Sequence, residues 1–219
     1  MATPVMSTSE HARERAIFAR MFTKRQPECH VGYWALWLSG NCWHNERVLV
    51  TPSQGTYITA MGFIDARRLV VAGNLNGQHE YGMDQYVYNL ATRQFVNLTN
   101  TPDIWEEDSA VAPNGQIVYM SNINSRYKFN FSRADWVAQP VEREYYLMDI
   151  NGQHKERLTF FNDPSAPEYI GNRVLVAACD FSPDGKYLAG SMGIDHGEGD
   201  RRKNVELKVI LIEFEKPLK

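Results

Sequence analysis

The chain has 219 residues, 43% hydrophobic and 22% charged, with a formal net charge of −3, a composition that belongs to folded globular proteins and argues against long disorder. A slightly acidic chain supplies no general field for nucleic acid or an anionic membrane, and no apolar run approaches the roughly 20 residues of a membrane-spanning helix. The expectation is a soluble protein with no nucleic-acid partner and no transmembrane segment, either one large all-β domain or one to two ordinary domains.

Met1 to Glu10 lacks the basic start and apolar stretch of a secretory signal, so the chain as given is expected to be cytoplasmic or processed periplasmic or extracellular. Residues 7–26 read as a helix within an N-terminal helical segment, 1–28. Ser7, Thr8 or Ser9 caps it, Glu10 and Glu14 lie in its early turns, and Pro27 ends it. Ile17, Phe18, Met21 and Phe22 form its apolar side and Arg13, Arg15, Arg20, Lys24 and Arg25 its charged face, which suits packing on the rest of the fold or covering an exposed edge. Three cysteines, Cys29, Cys42 and Cys179, cannot all pair within the chain; one bridge, Cys29 to Cys42, is permitted. Cys29, His30, Cys42 and His44 do not have the usual spacing of zinc ligands, and local packing is the default for them.

From His30 onward the pattern changes to short apolar or alternating runs separated by turns. Tyr33–Leu38, Arg47–Thr51, Tyr57–Phe63, Arg68–Ala72, Gln85–Leu90, Gln94–Leu98, Ile117–Met120, Glu144–Ile150, Val174–Phe181, Tyr187–Ser191 and Leu207–Phe214 read as strands. Two of the turns repeat: Phe181-Ser182-Pro183-Asp184-Gly185-Lys186-Tyr187-Leu188-Ala189 and the degenerate Val111-Ala112-Pro113-Asn114-Gly115-Gln116-Ile117-Val118-Tyr119. In each, Pro presets the turn and Gly takes a backbone angle that a side chain would oppose. Phe63 to Val71 holds the same place without the proline and glycine. A second anchor follows the earlier two: Tyr88 to Thr99 matches Met148 to Thr159 as strand, turn, and strand ending in Leu-Thr. Two hairpins per unit make four strands, the blade of a propeller. The blades fall at about 30–56 (partial), 57–105, 106–170 and 171–219.

These residues, with Tyr146-Leu147-Met148-Asp149 and Arg157-Leu158-Thr159, resemble the TolB-like, WD40-like β-propeller repeats over roughly residues 57–214. The resemblance implies an all-β propeller; this chain's own repeats make three to four four-stranded blades, partial or completed by oligomerisation, and the helix read over 7–26 precedes them. It is specific for fold and poor for function, because that family spans interaction proteins, propeller domains of serine peptidases and sugar-acid lyases. Such rings usually close with about six blades, so the exposed edges call for a cover: a second copy, a separate polypeptide, or a small closure of the N-terminal hairpin with the C-terminal strands and the 7–26 helix as a plug.

Two loops carry candidate chemistry. The insertion from Asn122 to Arg143 interleaves Arg126, Tyr127, Phe129, Phe131 and Trp136, residues that anchor a protein partner. The loop from Gly193 to Asp200 holds Asp195, His196, Glu198 and Asp200, whose oxygens and imidazole suit a hard divalent cation, although a solvated hairpin loop is the simpler reading. No Gly-x-Ser-x-Gly elbow and no phosphate-binding glycine signature occurs. The expected function is a non-catalytic interaction module or assembly subunit that binds a protein partner, or a second copy of itself, through inter-strand loops and uses no cofactor. The alternative is a propeller hydrolase or lyase with a pocket at the mouth, dependent on a divalent cation at the acidic loop.

Overall fold

The computed structural model describes residues 5–6, 15–23, 29–39 and 42–50 as backbone and residues 56–79, 81–130, 139–197 and 205–219 in full. The chain divides into two compact units, Met1–Pro102 and Asp103–Lys219, and every described element is a β-strand. No helix among the described residues is long and apolar enough to cross a membrane.

The first unit opens with an antiparallel sheet of β1 (Val5–Met6), β2 (Arg15–Thr23), β3 (Cys29–Ser39) and β4 (Cys42–Val50), in that order. The helix expected over residues 7–26 is corrected here, since Arg15–Thr23 is a strand that pairs along its whole length with Cys29–Trp37. Its apolar residues are dense enough to satisfy a period of two as well as 3.6, and a long partner strand then overrides helix propensity. The rest of that segment, 7–14 and 24–26, lies outside the described residues. Cys29 sits opposite Thr23 and Cys42 opposite Ser39, at the two ends of β3. At 3.3 Å per residue that is about 33 Å, too far for the permitted bridge or for a shared zinc ion.

The second sheet of this unit follows the order β5 (Ile58–Asp65), β6 (Arg68–Gly73), β7 (Asp84–Asn89), β8 (Gln94–Asn97). Ile58, Ala60, Leu69, Val71, Tyr86 and Tyr88 form its core, with Phe95 stacked on Tyr88 at 4.5 Å between ring centres. Leu69 to Ala72 are all buried, so this central strand is covered on both faces.

The second unit contains a third sheet, β9 (Glu106–Val111), β10 (Ile117–Ser121), β11 (Glu144–Met148) and β12 (Glu156–Arg157), and a three-stranded fourth sheet, β13 (Arg173–Phe181), β14 (Tyr187–Asp195) and β15 (Val205–Glu213). The third sheet packs on one face of the fourth, where the Tyr145 hydroxyl donates to the carbonyl of Ala177 at 2.6 Å. Gly190 is required at that crossing, because a Cβ there would strike the Tyr145 hydroxyl.

The repeated motifs have a common physical content. Gly115 and Gly185 turn with φ of 88° and 67°, while Asn114 and Asp184 each accept the backbone N–H two residues on, at 3.0 and 3.1 Å. The copy without glycine closes instead on Asp65, whose Oδ1 accepts from the N–H groups of Arg67 and Arg68 at 2.8 and 2.9 Å. The Leu-Thr ends are clasps. Leu98 and Leu158 donate their N–H to the carbonyls of Gln85 and Tyr145, each at 2.8 Å, and Thr99 and Thr159 accept the N–H of the same two residues, each at 3.0 Å. Each threonine hydroxyl then donates to the carboxylate that begins the third strand of its sheet, Asp84 or Glu144.

Candidate functional site

The insertion between β10 and β11 is held by two short-range clamps. Glu142 is 2% exposed and accepts the Arg126 backbone N–H at 2.9 Å and its guanidinium Nε at 2.8 Å. Gln139 brackets Asn130, accepting its N–H and donating to its carbonyl, each at 2.8 Å. Ser125 ties the two strands of the loop, its hydroxyl accepting from Tyr127 N–H and Glu142 N–H at 3.1 Å each. The clamps leave Ile123 and Tyr127 exposed. Phe129 turns inward, edge-on to Trp105 at 6.0 Å. Of the predicted anchors, Arg126, Tyr127 and Phe129 therefore share one ordered loop; Phe131 and Trp136 lie outside the described residues.

The acidic loop divides at its first two members. Asp195 is buried and paired with the Arg173 guanidinium, and its other oxygen accepts the Gly197 N–H at 2.9 Å. His196 turns to solvent between Asn172 and Glu206, at 3.2 Å from each. Glu198 and Asp200 lie outside the described residues, and among the described residues no three His, Cys, Asp or Glu side chains converge as a metal site. Cys179 is no activated nucleophile: burial, reinforced by the negative charges of Asp108 and Asp180, pushes its thiol well above the usual range.

A third feature was not apparent from the sequence. On the face of the fourth sheet opposite Tyr145, a recess of about 580 Å³ is lined by Leu175, Gly193, Leu207 and Val209, and by Trp105, Phe129 and Arg143. Arg143 stacks over the Trp105 ring at 4.3 Å, and the Trp105 indole N–H donates to Glu107 at 2.9 Å. Burial lowers the Arg143 pKa against the through-space pull of Asp108 and Glu107. Burial also raises both carboxyls; Asp108's charge adds to the rise at Glu107, and Arg143 opposes it at each. The contributing residues are scattered from 105 to 209, and none belongs to a recurrent motif. The one available signal was the alternation Val205, Leu207, Val209, Leu211 in a strand whose intervening residues are Glu206, Lys208, Ile210 and Ile212.

No protein-family model matches the chain, and no curated protein sequence does. Solved structures do match. TolB from Acinetobacter baumannii is 17% identical with a TM-score of 0.62, over 98% of this chain and 41% of that one. A puromycin-hydrolyzing peptidase from Mycobacterium tuberculosis is 11% identical with a TM-score of 0.61, over 97% and 27%. Prolyl oligopeptidase B from Galerina marginata is 12% identical with a TM-score of 0.55, over 100% and 28%. The chain thus spans 27–41% of the length of these proteins. At such identities the likeness concerns the fold alone: an all-β, TolB-like propeller fold.

Proposed function

We propose that this chain is a non-catalytic propeller module, or a subunit of a larger assembly, that binds a protein partner through the loop spanning 122–143. The observation that carries this reading is the double clamp of Glu142 on Arg126 and Gln139 on Asn130. The described arms of the loop, 122–130 and 139–143, are tied to each other while presenting Tyr127, and arms so held have lost ordering entropy before they meet a partner, which is how a rigid scaffold favours recognition. Tyr and Arg are also the side chains on which interface energy concentrates.

The test places a photo-crosslinking amino acid at position 127 and, as a control, at the exposed Val96. The reading predicts one protein adduct specific to position 127, lost when Arg126 and Phe129 are replaced by Ala. Equal adducts from both positions, or none, contradict it. A second copy as the partner is distinguished by solution mass, twice the monomer's 25.1 kDa when two chains pair.

A further inference from the structure

We propose that the recess on the fourth sheet binds a medium-chain fatty acid, its carboxylate on the Arg143 guanidinium and its hydrocarbon tail along the apolar residues of β15. This recess shares Phe129 and Arg143 with the 122–143 insertion, but its assignment and its test do not depend on the protein-binding reading.

Two independent observations support the assignment. The first is a buried donor of Arg143 left without an acceptor. Arg143 Nε is buried with no hydrogen-bond partner among the described residues, and Glu107 and Asp108 reach the guanidinium only through space. The other arginine at the recess, Arg173, is occupied by Asp195 and by the Val141 carbonyl at 2.8 Å. A buried guanidinium N–H lacking its acceptor is costly, and a planar fork is best satisfied by a carboxylate.

The second is an apolar track leading from that cation. Leu175, Gly193 and Leu207 are direct neighbours across β13, β14 and β15, so glycine forms a floor between two leucine walls about 10 Å apart at ordinary strand spacing. A Cβ on Gly193 would come within 3.1 Å of Val205 Cγ1 and raise that floor. Beyond it, Leu207, Val209 and Leu211 are 82%, 83% and 67% exposed. A volume of about 580 Å³ falls in the range of small-molecule sites. An apolar trench ending at an arginine with one unbonded donor complements an amphipathic monocarboxylate: the tail removes aliphatic surface from water and the head supplies the missing acceptor.

The experiment is calorimetric titration of the full chain with decanoate below its micellar concentration, alongside decanol, which has the tail without the charge, and butyrate, which has the charge with little tail. Saturable one-site binding of decanoate is expected, with decanol and butyrate each at least tenfold weaker. Arg143→Gln is expected to weaken decanoate at least tenfold, and Leu207→Glu with Val209→Glu to abolish binding. That double variant alters only side chains standing in solvent, so it keeps the test valid should Arg143→Gln fail to fold. No saturable binding of decanoate, equal binding of decanol, or an unchanged affinity in either variant overturns the proposal. So does a concentration-dependent doubling of mass that the double variant abolishes while decanoate stays unbound, which would identify a second copy as the occupant.

Discussion

The second and third sheets close with the same clasp around different carboxylates. In the second, Asp84 is fully buried and surrounded by neutral donors: Thr99 and Thr101 hydroxyls, the Thr101 N–H at 2.7 Å, Asn97 at 2.8 Å and Gln78 at 3.0 Å. In the third, the longer Glu144 takes Thr159 at 2.6 Å and Asn162 twice, at 2.8 and 2.9 Å, and adds a cation, Arg157, at 3.0 Å. The Leu-Thr end fixes the backbone geometry in both, while the corner that receives it can be a hydrogen-bonded anion or an ion pair. A buried anion satisfied by dipoles loses hydrogen bonds when neutralised, whereas one satisfied by a buried cation also strands that cation.

This difference predicts an order of effects. Glu144→Gln is expected to cost most, about 3 kcal/mol, because Arg157 then keeps the Thr159 carbonyl at 2.8 Å but, among the described residues, only the more distant Asp163, at 3.7 Å, as a counter-charge. Asp84→Asn is expected to cost about 2 kcal/mol, because one carboxylate oxygen becomes an amide NH2 group facing other donors. Both are read from denaturant midpoints. Equal losses at the two sites would erase the distinction. Thr99→Ala and Thr159→Ala each remove the shared element and are expected to cost about 1–2 kcal/mol apiece, alike to within about 0.5 kcal/mol; a large inequality would show that the clasps are not equivalent.

The smallest effect concerns pH. Glu107 and Asp108 bind protons more tightly in the folded state because they are buried. A raised carboxyl pKa contributes stability that is full below its unfolded value and is lost as pH rises toward its folded one. Stability measured upward from about pH 4 is therefore expected to decline less steeply in Glu107→Gln, whose side-chain oxygen still accepts the Trp105 indole N–H. An unchanged or steeper slope would contradict the assignment.

How much of this was legible in the sequence depended on whether the signal was local. The turns at Pro113-Asn114-Gly115 and Pro183-Asp184-Gly185 carry their own conformational instructions, so the strands around them were placed to within a few residues. The Leu-Thr pairs were recognisable as a repeat, but their carboxylate partners lie 15 residues upstream, where Asp84 and Glu144 have no shared letter. Arg15–Thr23 reads as helix in sequence because its partner strand, and not its own pattern, decides its conformation. At the candidate site, Arg126 and Tyr127 stood out by composition, whereas Glu142 and Gln139, which order them, look like ordinary surface residues until the loop closes. The recess around Arg143 required three separate strands to be brought together, which no linear spacing announces.

The clamped arms of the insertion, 122–130 and 139–143, are the centre of the account, and residue-resolved amide hydrogen exchange on the full chain tests them most directly. The N–H groups of Arg126 and Asn130, bonded to Glu142 and Gln139, are predicted to exchange far more slowly than the unstructured rate, and to lose that protection in Glu142→Ala and Gln139→Ala respectively. Exchange of both amides at the unstructured rate in the unmodified chain would contradict it.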